Sequence, residues 1–314
     1  MTKIIAEICQ NHLGKRELLG QSIEAAAQAG ADYVKSQIIF SQDLTYRKRF
    51  EQGETEDNGV VKTIKRPYKP EFERLQTVDL KPDDYKWFIE QAQKNNIIPI
   101  ATIFSRKRIK FAAQLPWPEK TVKVASYDCP SYPMLNELCD AFDHLIISTG
   151  GAFDEEIVKA AELVKNKGKK LTFLHCVISY PNTLEMCNLA RMEWLSQFAD
   201  SVGWSDHTLV ECDGTKAAQL AISLGASMIE RHFTVLAKDE TKDGPISISP
   251  EQLKALVGFS KLSREEQQAI VNQQIPERQI ILGQQTREMT HTEMLNRDYY
   301  RGRFASKVWK YNWE

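Results

Sequence analysis

The sequence predicts an α/β chain and, within that class, a (β/α)8 TIM barrel with a long connection between its second strand and second helix and a C-terminal extension. Three observations carry this. Short β-rich apolar runs alternate with longer amphipathic segments, about eight of each. Gly30, Gly168 and Gly225 stand where helices should end, as C-capping glycines do. The first apolar run leads into Cys9-Gln10-Asn11-His12, not into the glycine-rich nucleotide loop that a doubly wound sheet would need. Length agrees with this choice. One barrel takes about 250 residues, and a chain of 314 then has room for an extension.

The expected strands are Ile4–Ile8, Tyr33–Ile38, Ile98–Ile103, Thr121–Ala125, Leu145–Ser148, Leu171–Cys176, Ser201–Trp204 and Met228–His232. Each is a short apolar run bounded by polar or turn residues, the pattern of a strand buried on both faces. Between and after them the 3.6-residue period predicts helices at Leu18–Ala29, Pro82–Asn95, Arg106–Gln114, Met134–Phe142, Asp154–Lys167, Leu189–Phe198, Thr215–Leu224 and Pro250–Leu262. The stretch from Phe40 to Leu80 is too long for an ordinary connection and carries Arg47-Lys48-Arg49 and a Lys62/Lys65/Arg66/Lys69 cluster. A loop of that length is either a solvated mobile segment or a lid that meets a phosphate or a neighbouring subunit. Residues 1–258 are expected to form the barrel, and 259–314 a docking or dimer arm closed by Trp309, Tyr311 and Trp313.

Composition excludes several classes of function. Lys and Arg total 41 against 42 Asp and Glu, a net charge of −1, which removes the basic field expected of a nucleic-acid binder. No apolar run approaches the ~20 residues of a membrane span. The N-terminus is too short and too acidic for a signal peptide and reads as a strand. Six scattered cysteines without a CxxC pair fit reduced thiols in a cytoplasm.

Barrels place reacting groups at the C-terminal ends of their strands. Here those ends are polar throughout: Glu7, Asn11 and His12; Lys35 and Gln37; Thr102 and Ser105; Lys123, Ser126 and Asp128; Ser148 and Thr149; His175, Ser179 and Tyr180; Ser205, Asp206 and His207; Glu230 and His232. Lys35 and Gln37 lie two residues apart and share a face. Two lysines in apolar strands beside several hydroxyls point to an anionic ligand, since an uncompensated ammonium is costly there. Ion pairing with Glu7 and Asp128, or a Schiff-base lysine, are the alternatives. His207 and His232 end adjacent strands, where their imidazoles suit a divalent transition metal. Glu7 is a candidate metal ligand or water-holding base, His12 and His175 are ambiguous, and His144 and His291 read as surface or structural. Cys176 reads as core.

Nine segments then add up to a resemblance. Ala6-Glu-Ile-Cys-Gln-Asn-His-Leu-Gly14, Val34-Lys-Ser-Gln37, Ala101-Thr-Ile-Phe-Ser105, Val122-Lys-Val-Ala-Ser126, Ile147-Ser-Thr-Gly150, Leu174-His-Cys176, Tyr180-Pro181, Trp204-Ser-Asp-His-Thr208 and Glu230-Arg-His-Phe-Thr234 are similar, in order, to the sialic acid synthase family. Its members include N-acetylneuraminate, legionaminic and pseudaminic acid synthases. The resemblance implies a metal-dependent condensation: C3 of phosphoenolpyruvate adds to the aldehyde of an open-chain amino sugar, water attacks C2, and phosphate leaves. It implies that Lys35, Thr102, Lys123, Ser126, Ser148 and Ser205 hold phosphoenolpyruvate. His207 and His232 would bind Mn2+, with Mg2+ or Co2+ as alternatives, to polarise the aldehyde oxygen. Glu7 would serve as acid/base or organise water, while Gln37, Asp128 and Tyr180 would face the sugar. A cytoplasmic homodimer is also implied.

The sequence departs from the family pattern at definite places. Asp128 replaces a Glu, Ile178 (with Ser179 beside it) replaces an Asn, and Ile246 stands where a sugar-binding Asp is expected after Gly244-Pro245. Two altered sugar-side carboxylates point away from N-acetylmannosamine itself as acceptor. The C-terminal antifreeze-like domain, which lends an arginine to the partner's site, is expected to be missing. Arg301 or Arg303 is then the candidate substitute, or both are surface arginines. Two further functions stay open: a keto-deoxy sugar-acid synthase using a phosphorylated or neutral aldose, and a barrel that binds a sugar or partner without turnover.

Overall fold

The protein is described from a computed structural model, which covers residues 1–304; Trp309, Tyr311 and Trp313 fall outside the described residues. Eight parallel strands close into a barrel: β1 (Lys3–Glu7), β2 (Tyr33–Ile38), β3 (Ile98–Ile103), β4 (Thr121–Val124), β5 (His144–Ser148), β6 (Lys170–His175), β7 (Ser201–Asp206) and β8 (Met228–His232). β8 returns to β1, pairing Glu7 with His232. Along each strand alternate residues face the barrel axis. Ile5, Tyr33, Ile100, Ile146, Leu174 and Met228 make an apolar plug inside it. Gly203 makes room for that plug, because a Cβ there would sit 2.1 Å from the Met228 carbonyl oxygen and 2.9 Å from Leu174. Toward one end His144 meets Thr172 Oγ1 (2.8 Å), which meets Ser201 Oγ (2.8 Å). His144 is therefore structural, as one of its two readings had it.

The outward strand residues pack on amphipathic helices in the main core. In Arg16–Ala29 the buried Leu19, Ile23 and Ala26 recur at helical spacing, and Gly30 closes the helix at φ 85°. Two expected helices are shorter than their periodicity suggested. Arg106–Gln114 is a 3-10 turn (Arg106–Arg108) running into Ile109–Ala113, and Leu189–Phe198 contracts to Arg191–Leu195.

The long connection after β2 is a folded insertion. It contains helix Arg49–Gln52, a hairpin of Glu54–Thr55 with Val61–Thr63, and helix Tyr68–Val78. The C-terminal extension forms helices Arg264–Gln274, Arg278–Leu282 and His291–Tyr300. The last is started by a capping box in which Thr290 Oγ1 accepts from Glu293 N–H (3.3 Å) and Glu293 accepts from Thr290 N–H (2.9 Å). Insertion and extension interlock. Arg47 donates to the Arg301 carbonyl (3.0 Å), Thr45 N–H to the Arg303 carbonyl (2.9 Å), and His291 meets the Val61 carbonyl (2.8 Å). Leu44, Leu75, Phe104, Tyr127 and Phe304 form a second small core beneath them. Together they make a canopy beside the C-terminal ends of the strands. Among the described residues no helix is long and apolar enough to cross a membrane.

Candidate active site

A cavity of about 410 Å³ opens at the C-terminal ends of the strands, between the barrel and the canopy. Its deepest charges are four buried residues from four strands. Lys35 is ion-paired with Glu7, donates to Thr102 Oγ1 (2.7 Å), and lies 3.7 Å from Glu230. Lys123 donates to Ser148 Oγ (2.6 Å) and to the Val124 carbonyl (3.0 Å). Ser205 Oγ donates to Glu230 (2.8 Å). The register explains this meeting: Glu7 opposes Lys35, Gln37 opposes Thr102, and Thr102 opposes Lys123. Burial pulls Lys35 down to about 8, against the opposite pull of Glu230. Burial opposes ionisation of Glu230 as well, yet Lys123, Lys35 and the Ser205 hydroxyl hold its carboxyl below the usual range. The ion-pair alternative thus holds for Lys35 with Glu7, and Glu230 is its second carboxylate neighbour.

The two histidines are set by the pair of motifs around them. Asp206 and Arg231 face outward, are fully buried, and form a 2.6 Å ion pair. Arg231 also donates to the Thr208 carbonyl (2.9 Å), and Thr208 N–H donates to Asp206 (2.9 Å). This clamp locks the Ser-Asp-His-Thr turn to the Arg-His-Phe-Thr strand. His207 and His232 consequently stand with ring centroids 5.4 Å apart, and Tyr180 packs on His207 at 4.6 Å. Burial pulls His207 down to about 3 and His232 in the same direction, so both rings are neutral at ordinary pH. Neutral imidazole is the form that ligates a metal. His232 Nδ1 is buried without a hydrogen-bond partner, and His232, Cys9 and Asp243 each offer a donor atom within 4.8 Å of the others. The residues present therefore fit a divalent cation.

Most of the expected site residues line this one cavity: Glu7, Lys35, Gln37, Thr102, Lys123, Ser126, Ser148, Tyr180, Ser205, His207 and His232. Asp128 is not among the residues lining it. It closes the 3-10 turn Ser126–Asp128, whose rotation presents Ser126 and Tyr127 to the cavity and buries Asp128, where its carbonyl accepts from Ser131 N–H (2.9 Å). Of the ambiguous histidines, His12 accepts from Gly14 N–H (3.0 Å), and His175 meets the Cys187 carbonyl (2.7 Å). Cys176 lines the wall, with burial pushing its thiol up.

Several other wall residues carry little sign of their role in the sequence. Asp243 lines the cavity three residues before the buried Ile246, so an acid is present although not at the anticipated position. Asn296, Tyr300 and Arg303 reach the cavity from the extension. Asn296 donates to the Ile178 carbonyl (2.8 Å), placing a side-chain amide next to the segment where the expected Asn is missing. Arg303 is buried and ion-paired with Glu71, while Arg301 pairs with Glu156 (3.3 Å) away from the cavity. Burial pushes the Glu71 carboxyl up, but Arg74 and Arg303 overrule it and hold it at about 2. Arg66, Arg74 and Lys242 complete a basic rim. Only tertiary contact singles out Asp243, Asn296, Tyr300, Arg74 and Lys242, whereas Arg303 and Arg66 are candidates from the sequence and Glu230 has a signal in its position two residues before His232 on one strand face.

Known proteins are similar to this chain in sequence and fold. N,N'-diacetyllegionaminic acid synthase of Legionella pneumophila is 33% identical over 263 residues, covering 81% of this chain and 70% of its own length. Pseudaminic acid synthase of Campylobacter jejuni is 29% identical over 256 residues, covering 81% and 71%. The crystal structure of N-acetylneuraminic acid (sialic acid) synthetase from Leptospira borgpetersenii, in complex with citrate, superimposes with a TM-score of 0.70 at 27% identity, covering 88% of this chain and 93% of that one. Residues 22–271 match the NeuB family throughout. With the resemblance of its motifs carried by the fold and by the sequence as a whole, the chain belongs to the NeuB family.

Proposed function

We propose that the chain is a transferase of the sialic acid synthase type, which condenses phosphoenolpyruvate with an open-chain amino sugar or related aldose to give a 3-deoxy-2-keto sugar acid and phosphate. The observation that carries this reading is Lys123. Its ammonium is buried at the cavity floor and bonded only to a hydroxyl and a carbonyl, with no carboxylate at ion-pair distance among the described residues. Such a group favours an anion strongly. In this reading Lys123, Lys35, Thr102, Ser126, Ser148 and Ser205 bind the phosphate and carboxylate of phosphoenolpyruvate. Gln37 and Tyr180 face the acceptor. Glu7, already in contact with Lys35 and Gln37, holds or moves the proton of the water that adds to C2. A divalent cation, Mn2+ by family expectation, would be held at His232 and His207 and supplies Lewis-acid polarisation of the aldehyde oxygen.

A charged acceptor is the second reading, favoured by the rim. Arg66, Arg74, Lys242 and Arg303 line it beside Asp243, with Glu71 behind Arg303, and burial together with Arg74 pulls the Lys242 ammonium down. A phosphorylated aldose would relieve that crowding. On either reading residues 1–258 act as the catalytic barrel, and the segment 259–314 supplies Arg303 from the same chain. The working form is a cytoplasmic homodimer.

The test incubates the purified protein with phosphoenolpyruvate, a divalent cation and a panel of neutral, N-acetylated and phosphorylated aldoses, following phosphate release and the keto-deoxy acid. Turnover with any one of them is expected. Absence of phosphate release with every acceptor and every cation would leave a binding barrel as the better reading.

A further inference from the structure

The sulfur of Cys9 sits in surroundings foreign to a core cysteine, which ordinarily behaves as a small hydrophobe. Its Sγ donates to Asp243 Oδ2 (2.9 Å) and accepts from Gln37 Nε2 (3.1 Å). Cys9 follows β1, Asp243 precedes the turn Gly244–Ile246, and His232 ends β8, so the first strand's end meets the strand end and loop of the last βα unit here. Their donor atoms lie within 4.8 Å of one another. Cys9 also holds φ at 54°, a left-handed backbone that residues other than glycine seldom adopt. The independent sign of a ligand is His232, whose buried Nδ1 has no partner in the protein.

We propose that this chain seats its divalent cation on Cys9 Sγ, a carboxylate oxygen of Asp243 and a ring nitrogen of His232, a thiolate-containing site that prefers thiophilic ions such as Zn2+, Co2+ or Fe2+ to Mn2+. The inference rests on the reading of a cation-dependent synthase and changes its ligand set. The charges balance: thiolate and carboxylate together neutralise the cation, whereas two imidazoles alone would leave both its charges buried beside Lys35 and Lys123. Binding involves no redox change. The thiol proton that now bridges Sγ and Oδ2 passes to solvent, and a metal–sulfur bond takes its place. His207, with Nδ1 engaged by the Val177 carbonyl at 3.1 Å, flanks the site.

The experiment strips the full chain with a chelator and titrates it with Co2+ in a background carrying Cys212→Ser, because Cys212 is the exposed thiol among those described. One Co2+ per chain should bind and give a near-ultraviolet sulfur-to-cobalt charge-transfer band. Cys9→Ser should abolish the band and weaken binding at least tenfold, Asp243→Asn should also weaken it at least tenfold, and Zn2+ should displace Co2+ where equal Mn2+ does not. Circular dichroism reports whether each variant folds; the band of the unsubstituted site needs no variant. Co2+ that binds without the band, or binding unchanged in Cys9→Ser and lost only in His207→Ala, would overturn the proposal in favour of a two-histidine site. No Co2+ binding at all would overturn it too. Condensation assayed separately distinguishes the two failures. Turnover without the band removes only this ligand set, and the band without turnover removes the synthase reading and leaves the site standing.

Discussion

In the barrel wall, Asp206 and Arg231 pair on neighbouring strands, wholly shielded from water, and the guanidinium's further hydrogen bonds go to Thr208 and Gly214 nearby. In the canopy, Arg47 reaches the Arg301 carbonyl across 254 residues, and Arg49 pairs with Asp298 in a half-exposed setting. Both regions hold arginines against acceptors, yet their dielectric surroundings differ. Removing one member of a dry pair strands the other charge, whereas water replaces a wet one. The wall thus carries stability and the canopy shapes the mouth.

The sharpest way to break this contrast is at the clamp. Arg231→Leu should cost about 3–5 kcal/mol by leaving Asp206 buried and unpaired, read as a fall in the urea midpoint. A loss under ~1 kcal/mol would show the wall to be as tolerant as the canopy. Next in size is Lys123→Met, expected to lower kcat/KM for phosphoenolpyruvate by about 10–100-fold, since a charged hydrogen bond contributes ~1.5–3 kcal/mol; the urea midpoint should move less than at the clamp, because Glu230 keeps Lys35 and Ser205. Acidification should separate the regions as well. Burial, then Lys170, pulls His144 from 6.5 to about 4. Between those values the unfolded chain takes up a proton that the folded one refuses, so stability falls as pH drops from 6.5 toward 4. His144→Asn should make urea midpoint against pH shallower in that window by one proton's worth, the other buried histidines keeping the rest; an unchanged slope would exclude His144 as a contributor. Arg303→Met should raise KM for the acceptor several-fold and lower the midpoint by about 1–3 kcal/mol, less than at the clamp because Arg74 still pairs with the half-stranded Glu71. The smallest effect belongs to Arg49→Ala, at ~0–1 kcal/mol for an exposed pair.

How far the sequence could be read divides along the same line. All eight strands were legible because each is a short apolar run whose period and neighbours agree, and the lysines stood out as charges inside such runs. The helix expected at Arg106–Gln114 carries a periodicity that the 3-10 turn does not respect. Asp128 falls outside the cavity lining because of a three-residue 3-10 turn: a strand's alternation ends at Val124, and beyond it face assignment from spacing fails. The canopy was illegible for a different reason. Its apolar residues pack on Ile39, Phe104 and Tyr127 in the irregular segments just past the strand ends, so neither period 2 nor period 3.6 marks them. Arg301 and Arg303 differ by two positions, and only the partners Glu156 and Glu71 reveal which one lines the cavity.

The interlocking of insertion and extension also sets an order of events during synthesis. The ribosome releases Met228–His232, the last strand, well before residues 291–304, so the barrel can close while its mouth still lacks a roof. Arg47 and Thr45 must wait for carbonyls at the far end of the chain, and that long loop closure comes after the local contacts have formed. A nascent chain would therefore hold an assembled lysine floor, open to solvent, before it acquires Arg303, and competence for selective chemistry arrives as the last act of folding.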